Sequence, residues 1–215
     1  MPLPKDLLTA VRAMLVLTVL LGLAYPLAVT GVAQVVMPKR ANGSLVERDG
    51  KVVGSTLLGV APTLDTGRKD AAGDAITRPD PAFFQPRPSA TDYATATSYF
   101  SNRGPNSDPA RRFYADGIAA YIALNRKTSP GLTAATIPPD AVETSASGVD
   151  PDISRTNAAI QARRVAAARG VPLATVTRLV RAATHGRFLG LFGEPGVSVP
   201  KLNLALQHLD KAPAR

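Results

Sequence analysis

The chain contains no cysteine, no tryptophan and only two histidines. The first absence excludes a disulfide framework, a thiolate metal site and a cysteine nucleophile. The histidines, His185 and His208, do not form an HExxH metal motif, and no GxxxxGK[ST] phosphate loop is present. There is no GxSxG elbow to anchor a hydrolase triad, and no DKTG-type aspartate for a P-type ATPase to phosphorylate. Asp150 and Asp152 form a DPD pair too sparse for a calcium loop, and they read as solvated loop carboxylates. The sequence therefore predicts a chain with no catalytic site of its own, no metal and no tightly bound cofactor. Acidic residues are scarce as well. The net charge is +9, and the stretch from Arg155 to Arg187 holds seven arginines and no acid. Such a patch suits phosphate, nucleotide, anionic lipid or an acidic partner surface, or simply a solvated basic face. It lacks the interleaved aromatics and modules of a nucleic-acid reader, so no nucleic acid is expected as partner.

What is abundant is apolar sequence near the N-terminus. From Ala13 to Met37 no residue is charged. At a helical rise of about 1.5 Å per residue this run spans roughly 37 Å, enough to cross a hydrocarbon core of about 30 Å. Lys5, Arg12 and the small residues Gly31 and Ala33 also fit a removable signal sequence. The alternative is thus an exported, signal-cleaved soluble binding protein with a mature N-terminus near Gln34. The run continues through Val35 and Val36, past that cut, and favours a retained anchor. The division is an N-terminal tail over 1–12, a transmembrane helix over 13–37 and a soluble domain over 38–215.

Within the helix, Gly22, Pro26, Thr30 and Gln34 recur every four residues and wind along one stripe. Small and polar residues favour helix contacts over lipid contacts in a membrane. Pro26 leaves the Gly22 carbonyl without its amide partner, which predicts a kink. The stripe is therefore expected to face a membrane partner. Orientation does not follow from charge. Basic residues flank both ends, and long domains translocate largely regardless of the positive-inside rule.

The soluble part reads as one α+β domain with a small sheet and several helices. Two short apolar runs flank Asp49-Gly50, which predicts a hairpin between 41 and 59. Residues 61–81 lack periodicity and read as a loop or local insertion. Phe83, Phe84, Tyr93, Tyr99 and Phe100 cluster around Arg87-Pro88-Ser89-Ala90, which reads as an aromatic minicore under a loop, with a binding groove as the alternative. A helix is expected from Asp108 to about Asn125, with Tyr114, Ile118, Tyr121 and Ile122 inward. Residues 130–139 read as a linker. Ser154 caps a helix from Arg155 to Arg169 that Gly170 closes. Ala158, Ala162 and Val165 face inward there, and Gln161 borders them. Pro172 opens another helix, with Leu173, Val176, Val180 and Ala183 inward. Leu202, Leu204 and Leu206 suit a strand, whereas Leu202, Leu206 and Leu209 suit a helix equally well. The loop SASGVDPDIS before the helix at 155 is a candidate phosphate cradle, because helix N-termini hold anions.

Several of these segments resemble one family in order: the anchor with Tyr25-Pro26 and Thr30, then Ala41-Asn42-Gly43-Ser44-Leu45 and Gly50-Lys51-Val52-Val53-Gly54-Ser55. Arg87-Pro88-Ser89-Ala90 and Ser147-Gly148-Val149-Asp150-Pro151 follow. Next come Gln161 with Arg164-Val165-Ala166 and Ala168-Arg169-Gly170, and finally Gly193-Glu194-Pro195 with Leu202-Asn203-Leu204. The chain resembles the KdpC family, the C subunits of the bacterial high-affinity potassium-transporting P-type ATPase, over nearly its whole length. The resemblance implies a single-pass protein of the bacterial plasma (inner) membrane. Its implied partners are a channel-like potassium-binding subunit, an ATP-hydrolysing P-type subunit and a small membrane peptide, besides the lipid bilayer. It implies a catalytic chaperone that raises the ATP affinity of the hydrolytic subunit, with ATP reached through the complex. Gln161, with Ser147, Gly148 and Arg164, is the implied nucleotide site. The family's topology places the soluble domain outside the cytoplasm, across the bilayer from ATP. Three departures stand out: TSYFSNRG over 97–104 in place of a Gly-Gly-rich segment, Ala146 for a glycine, and Asp152 for a histidine.

Overall fold

The computed structural model describes residues 5–48, 50–97 and 101–209. Backbone contacts divide the chain into two units, Met1–Ser55 and Thr56–Arg215.

The first unit is dominated by one helical path, Lys5–Val36, long and apolar enough to cross a membrane. It comprises α1 (Lys5–Val19), a π-helical turn (Leu20–Ala24) and α2 (Tyr25–Val36). The expected disturbance at Pro26 takes the form of that wide turn: the Tyr25 amide donates to the Leu20 carbonyl, five residues back. Opening the helix by one residue ahead of the proline accommodates a ring that cannot donate to the usual acceptor. No side chain of α1 or α2 is buried by protein, so their apolar surface is available to lipid. Pro38 starts the short α3 (Pro38–Ala41). The Gln34 and Asn42 side-chain amides then bond reciprocally at 3.1 and 3.2 Å. The expected hairpin follows as antiparallel β1 (Leu45–Arg48) and β2 (Lys51–Ser55), with an irregularity between Val46 and Glu47.

In the second unit, residues 61–81 form not a loop but an antiparallel hairpin, β3 (Thr63–Lys69) and β4 (Ala75–Pro79). Its side chains are almost all exposed, and its register shifts between Asp65 and Arg68. With neither face buried and the pleat interrupted, no alternating apolar pattern was required of the sequence. The Asp70 carboxylate shapes the turn by accepting from the Ala72 and Asp74 amides, both at 2.9 Å.

Helix α4 (Asp108–Asn125) begins at a Ser107 cap that accepts from the Ala110 amide. Tyr121 is buried, with Ile118 and Ile122 packed beside it, around Ile137 and Val142. Tyr114, expected inward, is exposed. Helix α5 (Arg155–Arg169) has the predicted ends: Ser154 accepts from the Asn157 amide, and Gly170 takes the left-handed conformation at φ +64°. Helix α6 (Leu173–Ala183) follows Pro172 and buries Val176, whereas Leu173 at its exposed start does not face inward. A small sheet, β5 (Asp152–Ile153), β7 (Gly196–Ser198) and β6 (Thr184–His185), has β7 at its centre with antiparallel neighbours. The C-terminal alternative resolves as helix α7 (Val199–Leu209), with Leu202 and Leu206 buried. The main core joins α5, α6, α7 and β7 through Ala158, Ala162, Val165, Val176, Val197, Leu202 and Leu206. Phe84 completes it from the segment before α4. Of the other aromatics grouped with it, Tyr99 and Phe100 lie outside the described residues.

Candidate functional site

The chain from Pro79 to Pro88 carries four prolines, at 79, 81, 86 and 88. Proline has no amide hydrogen, so such a segment cannot be a central strand. Its buried carbonyls still need donors. Side chains from α5 and α7 supply them. The Pro81 carbonyl accepts from Arg164 Nε at 3.2 Å, and the Ala82 carbonyl from Arg169 Nε at 2.6 Å. The Phe83 carbonyl accepts from Arg164 Nη2 at 2.7 Å. Asn203 on α7 grips Phe84 at both backbone groups: it accepts from the amide at 2.9 Å and donates to the carbonyl at 2.9 Å. Gln161 on α5 grips Gln85 in the same way, at 2.8 and 3.0 Å. Successive residues of an extended chain present their backbone groups to opposite sides. Two side-chain amides on different helices thus replace the two neighbouring strands that prolines forbid. Arg169 also lies over the Phe83 ring, 4.4 Å from its centroid.

Gln161 and Arg164 are nearly inaccessible, at 1% and 4% exposure. Gln161 Oε1 accepts from the Gln85 amide and from Arg164 Nη2, and its Nε2 donates to the Gln85 carbonyl and Asn157 Oδ1. A primary amide has two donor hydrogens and two acceptor lone pairs, so this one is fully engaged. Arg164 Nη1 adds a bond to Asn125 Oδ1 at 3.2 Å. All of these contacts to the guanidinium come from neutral oxygens. Burial consequently pulls Arg164 down to about 10, against the opposing pull of Tyr121 and Asp80. Burial pushes the Tyr121 hydroxyl above its ordinary value, with Arg164 acting the other way. That hydroxyl donates to Asn157 Oδ1 at 2.8 Å.

The N-terminus of α5 already has its anion. Asp140 Oδ2 accepts from the Ser154 amide at 2.8 Å and from Asn157 Nδ2 at 2.9 Å. A carboxylate beside the positive end of a helix takes the role that a bound phosphate would otherwise fill.

Ser147 and Gly148 belong to a second joint. The Ser145 amide donates to the Pro88 carbonyl at 2.9 Å, and Ser147 Oγ accepts from the Val149 amide at 3.2 Å. Gly148 sits at φ +76°, where an added Cβ would lie 2.5 Å from Thr91 Oγ1. Only glycine fits that backbone and that approach. Arg87 Nη1 meets Asp150 Oδ2 at 3.2 Å, and Asp152 Oδ2 meets His185 Nε2 at 3.0 Å. Tyr93 donates to the Arg87 carbonyl at 3.0 Å. Burial first, and Asp92 second, push its hydroxyl up to about 12.

The structure therefore brings Gln161 and Arg164 together at 2.9 Å and puts Ser147 and Gly148 in the loop against Thr91. Gly22, Pro26, Thr30 and Gln34 remain exposed along the helical path of the first unit. Sequence reasoning missed Asn125, Asp140, Asn157 and Asn203. Only Asn203 carried a signal, as the polar residue inside Leu202-Asn203-Leu204. Among the described residues no cluster of three or more metal-ligating side chains occurs.

Comparison with known proteins points one way. The family model described as KdpC, the K+-transporting ATPase c chain, matches residues 7–208. A potassium-transporting ATPase KdpC subunit of Rhodopseudomonas palustris is 47% identical over 205 residues, covering 94% of this chain and 96% of that protein. Its counterpart in Caulobacter vibrioides is 46% identical, with 92% and 90% covered. That of Bradyrhizobium diazoefficiens is 43% identical, with 98% and 99% covered.

Proposed function

Because the chain belongs to the KdpC family of K+-transporting ATPase subunits, we propose that it is the non-catalytic accessory subunit that assembles the complex and raises the ATP affinity of the hydrolytic subunit. The supporting observation is the reach of the family match, which takes in the N-terminal helix and the second unit alike. A removable signal would not need to share that match, so the match favours a retained single-pass anchor in the plasma membrane. The proposed partners are the channel-like subunit, the P-type subunit and the small membrane peptide. The Gly22–Gln34 stripe is the surface proposed to meet them in the bilayer.

In this reading the second unit lies outside the cytoplasm and acts on ATP affinity at a distance, since a core of about 30 Å separates it from the nucleotide. Gln161 and Arg164 contribute by holding residues 81–88 in one shape, and Ser147 and Gly148 by seating the loop against Thr91. Their bonding capacity is directed at the protein itself, which supports an indirect role over phosphate contact.

The test is the whole reconstituted complex carrying Gln161→Leu or wild-type chain. The expected result is a weaker apparent ATP affinity of the complex, with no ATP binding by either form of the isolated full-length chain. ATP binding by the isolated chain that is lost in Gln161→Leu would overturn the indirect reading. An unaltered ATP affinity in a complex lacking the chain altogether would overturn the chaperone role.

A further inference from the structure

Among the described residues of the second unit, the most exposed large apolar side chains are gathered in one turn. Phe188, Leu189, Leu191 and Phe192 are 71%, 75%, 76% and 64% exposed. They project from a five-residue tip, Phe-Leu-Gly-Leu-Phe, that contains no polar side chain. An apolar cluster of this kind on a water-facing domain marks a binding surface.

The backbone of the tip points to the kind of surface. Phe188 and Phe192 exchange both amide–carbonyl bonds, at 2.8 and 3.0 Å, and the Gly190 and Leu191 amides donate to the Arg187 and Phe188 carbonyls at 3.1 Å each. These bonds pair the Phe188, Gly190, Leu191 and Phe192 amides within the turn and its neck, which lowers the cost of taking that backbone out of water. Leu189 is held at φ +53°, a conformation that favours glycine or asparagine. A large apolar side chain stands there despite that cost.

The sequence flanking the tip is basic, with Arg178, Arg181 and Arg187 against Glu194 alone over residues 173–195. Arg187 is paired with Glu194 at 2.7 Å, and Glu194 is the only acid between Asp152 and Asp210. Arg178 and Arg181, on the preceding helix, are exposed. An apolar tip that follows a helix with exposed arginines suits an anionic lipid surface, with apolar side chains in the acyl boundary and Arg178 and Arg181 available to headgroups. The anchor keeps the second unit tethered to such a surface at high effective concentration.

We propose that the 188–192 tip inserts into the interfacial layer of an anionic bilayer, as a second membrane contact distinct from the spanning helix. The inference rests on the single-span reading but not on the chaperone role. The absence of native cysteine makes the test clean. Leu191→Cys carries an environment-sensitive fluorophore in the full chain, reconstituted alone into phosphatidylethanolamine–phosphatidylglycerol vesicles. Ala72→Cys, on the exposed β3–β4 turn, is the control. The expected result is strong quenching of the Leu191→Cys probe by brominated acyl chains and little by iodide, with the reverse at Ala72→Cys. Adding Phe188→Ser and Phe192→Ser should abolish the lipid quenching while the chain stays in the vesicles. A probe at 191 as wet as the control would overturn the proposal. So would a probe shielded only after the other subunits are added, which would make the tip a protein-docking knob. Equal insertion into pure phosphatidylcholine would overturn the anionic part. Failure of the anchor itself is read separately, as release of the whole chain from vesicles by alkaline carbonate.

Discussion

Within the second unit, α5 and the 188–192 turn invert the usual rule of burial in opposite senses. Helix α5 turns Asn157, Gln161 and Arg164 into the interior, while the turn presents two phenylalanines and two leucines to the outside. The polar groups of α5 are tolerable because each meets specific partners, and for Gln161 and Arg164 half of these are backbone groups of a segment too rich in proline to pair as a strand. The apolar groups of the turn gain nothing from the fold. A buried amide with a complete set of bonds explains itself within the chain, whereas an exposed phenylalanine pair needs something beyond it.

The comparison breaks most visibly at Arg164. Arg164→Met removes the donors to the Pro81 and Phe83 carbonyls, Asn125 and Gln161. Each buried acceptor left without a donor costs about 1–3 kcal/mol, so the thermal midpoint of the full chain in detergent should fall by more than for any other substitution considered. Gln161→Leu orphans both backbone groups of Gln85 and should cost about 2–4 kcal/mol on the same basis. Gln161→Glu should not rescue it, because a carboxylate accepts but cannot donate to the Gln85 carbonyl. A midpoint within error of wild type for either variant would mean that α5 does not hold the segment.

Gly148→Ala tests the second joint. The clash with Thr91 and the positive φ together should cost about 1–3 kcal/mol. The double variant with Thr91→Ser should not relieve it, since the Oγ1 contact persists as Oγ. Full recovery would show that sterics with the Thr91 methyl, not backbone conformation, set the requirement.

Alkaline titration sharpens the contrast further. Tyr93, with its hydroxyl pushed up to about 12, stays protonated in the folded chain after an unfolded tyrosine has ionised near pH 10. Its stabilising contribution is complete below about pH 10 and is lost as pH rises toward 12. Tyr121 has the same sign. Arg164, pulled down to about 10, has the opposite sign over that window, because the unfolded chain then binds the extra proton. Tyr93→Phe should therefore flatten the loss of stability between pH 10 and 12, measured by denaturant midpoints. A slope unchanged from wild type would remove Tyr93 from the account.

The smallest effect on stability is expected at the turn. Phe188→Ser with Phe192→Ser removes no buried contact and should shift the midpoint by about 0.5 kcal/mol or less. A loss as large as that of Gln161→Leu would mean that the turn is a packing element after all.

The chain signals that were local read directly. The long uncharged run, the helix start at Asp108, the Ser154 cap, the Gly170 stop and the turn at Gly50 each act over a few residues, and the elements they bound are present. Residues 61–81 were illegible because an exposed hairpin demands no periodicity. The face of α5 was half legible. Ala158, Ala162 and Val165 announced the buried side, but nothing local distinguished a buried Arg164 from the exposed Arg163 one residue earlier.

The sequence by itself settled the membrane-compatible helix, the order of the family's motifs and the ends of the principal helices, since capping, hydrophobic length and turn chemistry are near-neighbour physics. Only the tertiary structure decided what Gln161, Arg164 and Asn203 do. Gln161 meets its backbone partner 76 positions away and Asn203 meets its own 119 away. Whether an amide is a ligand contact or an internal brace depends on which distant backbone arrives beside it, and packing alone determines that.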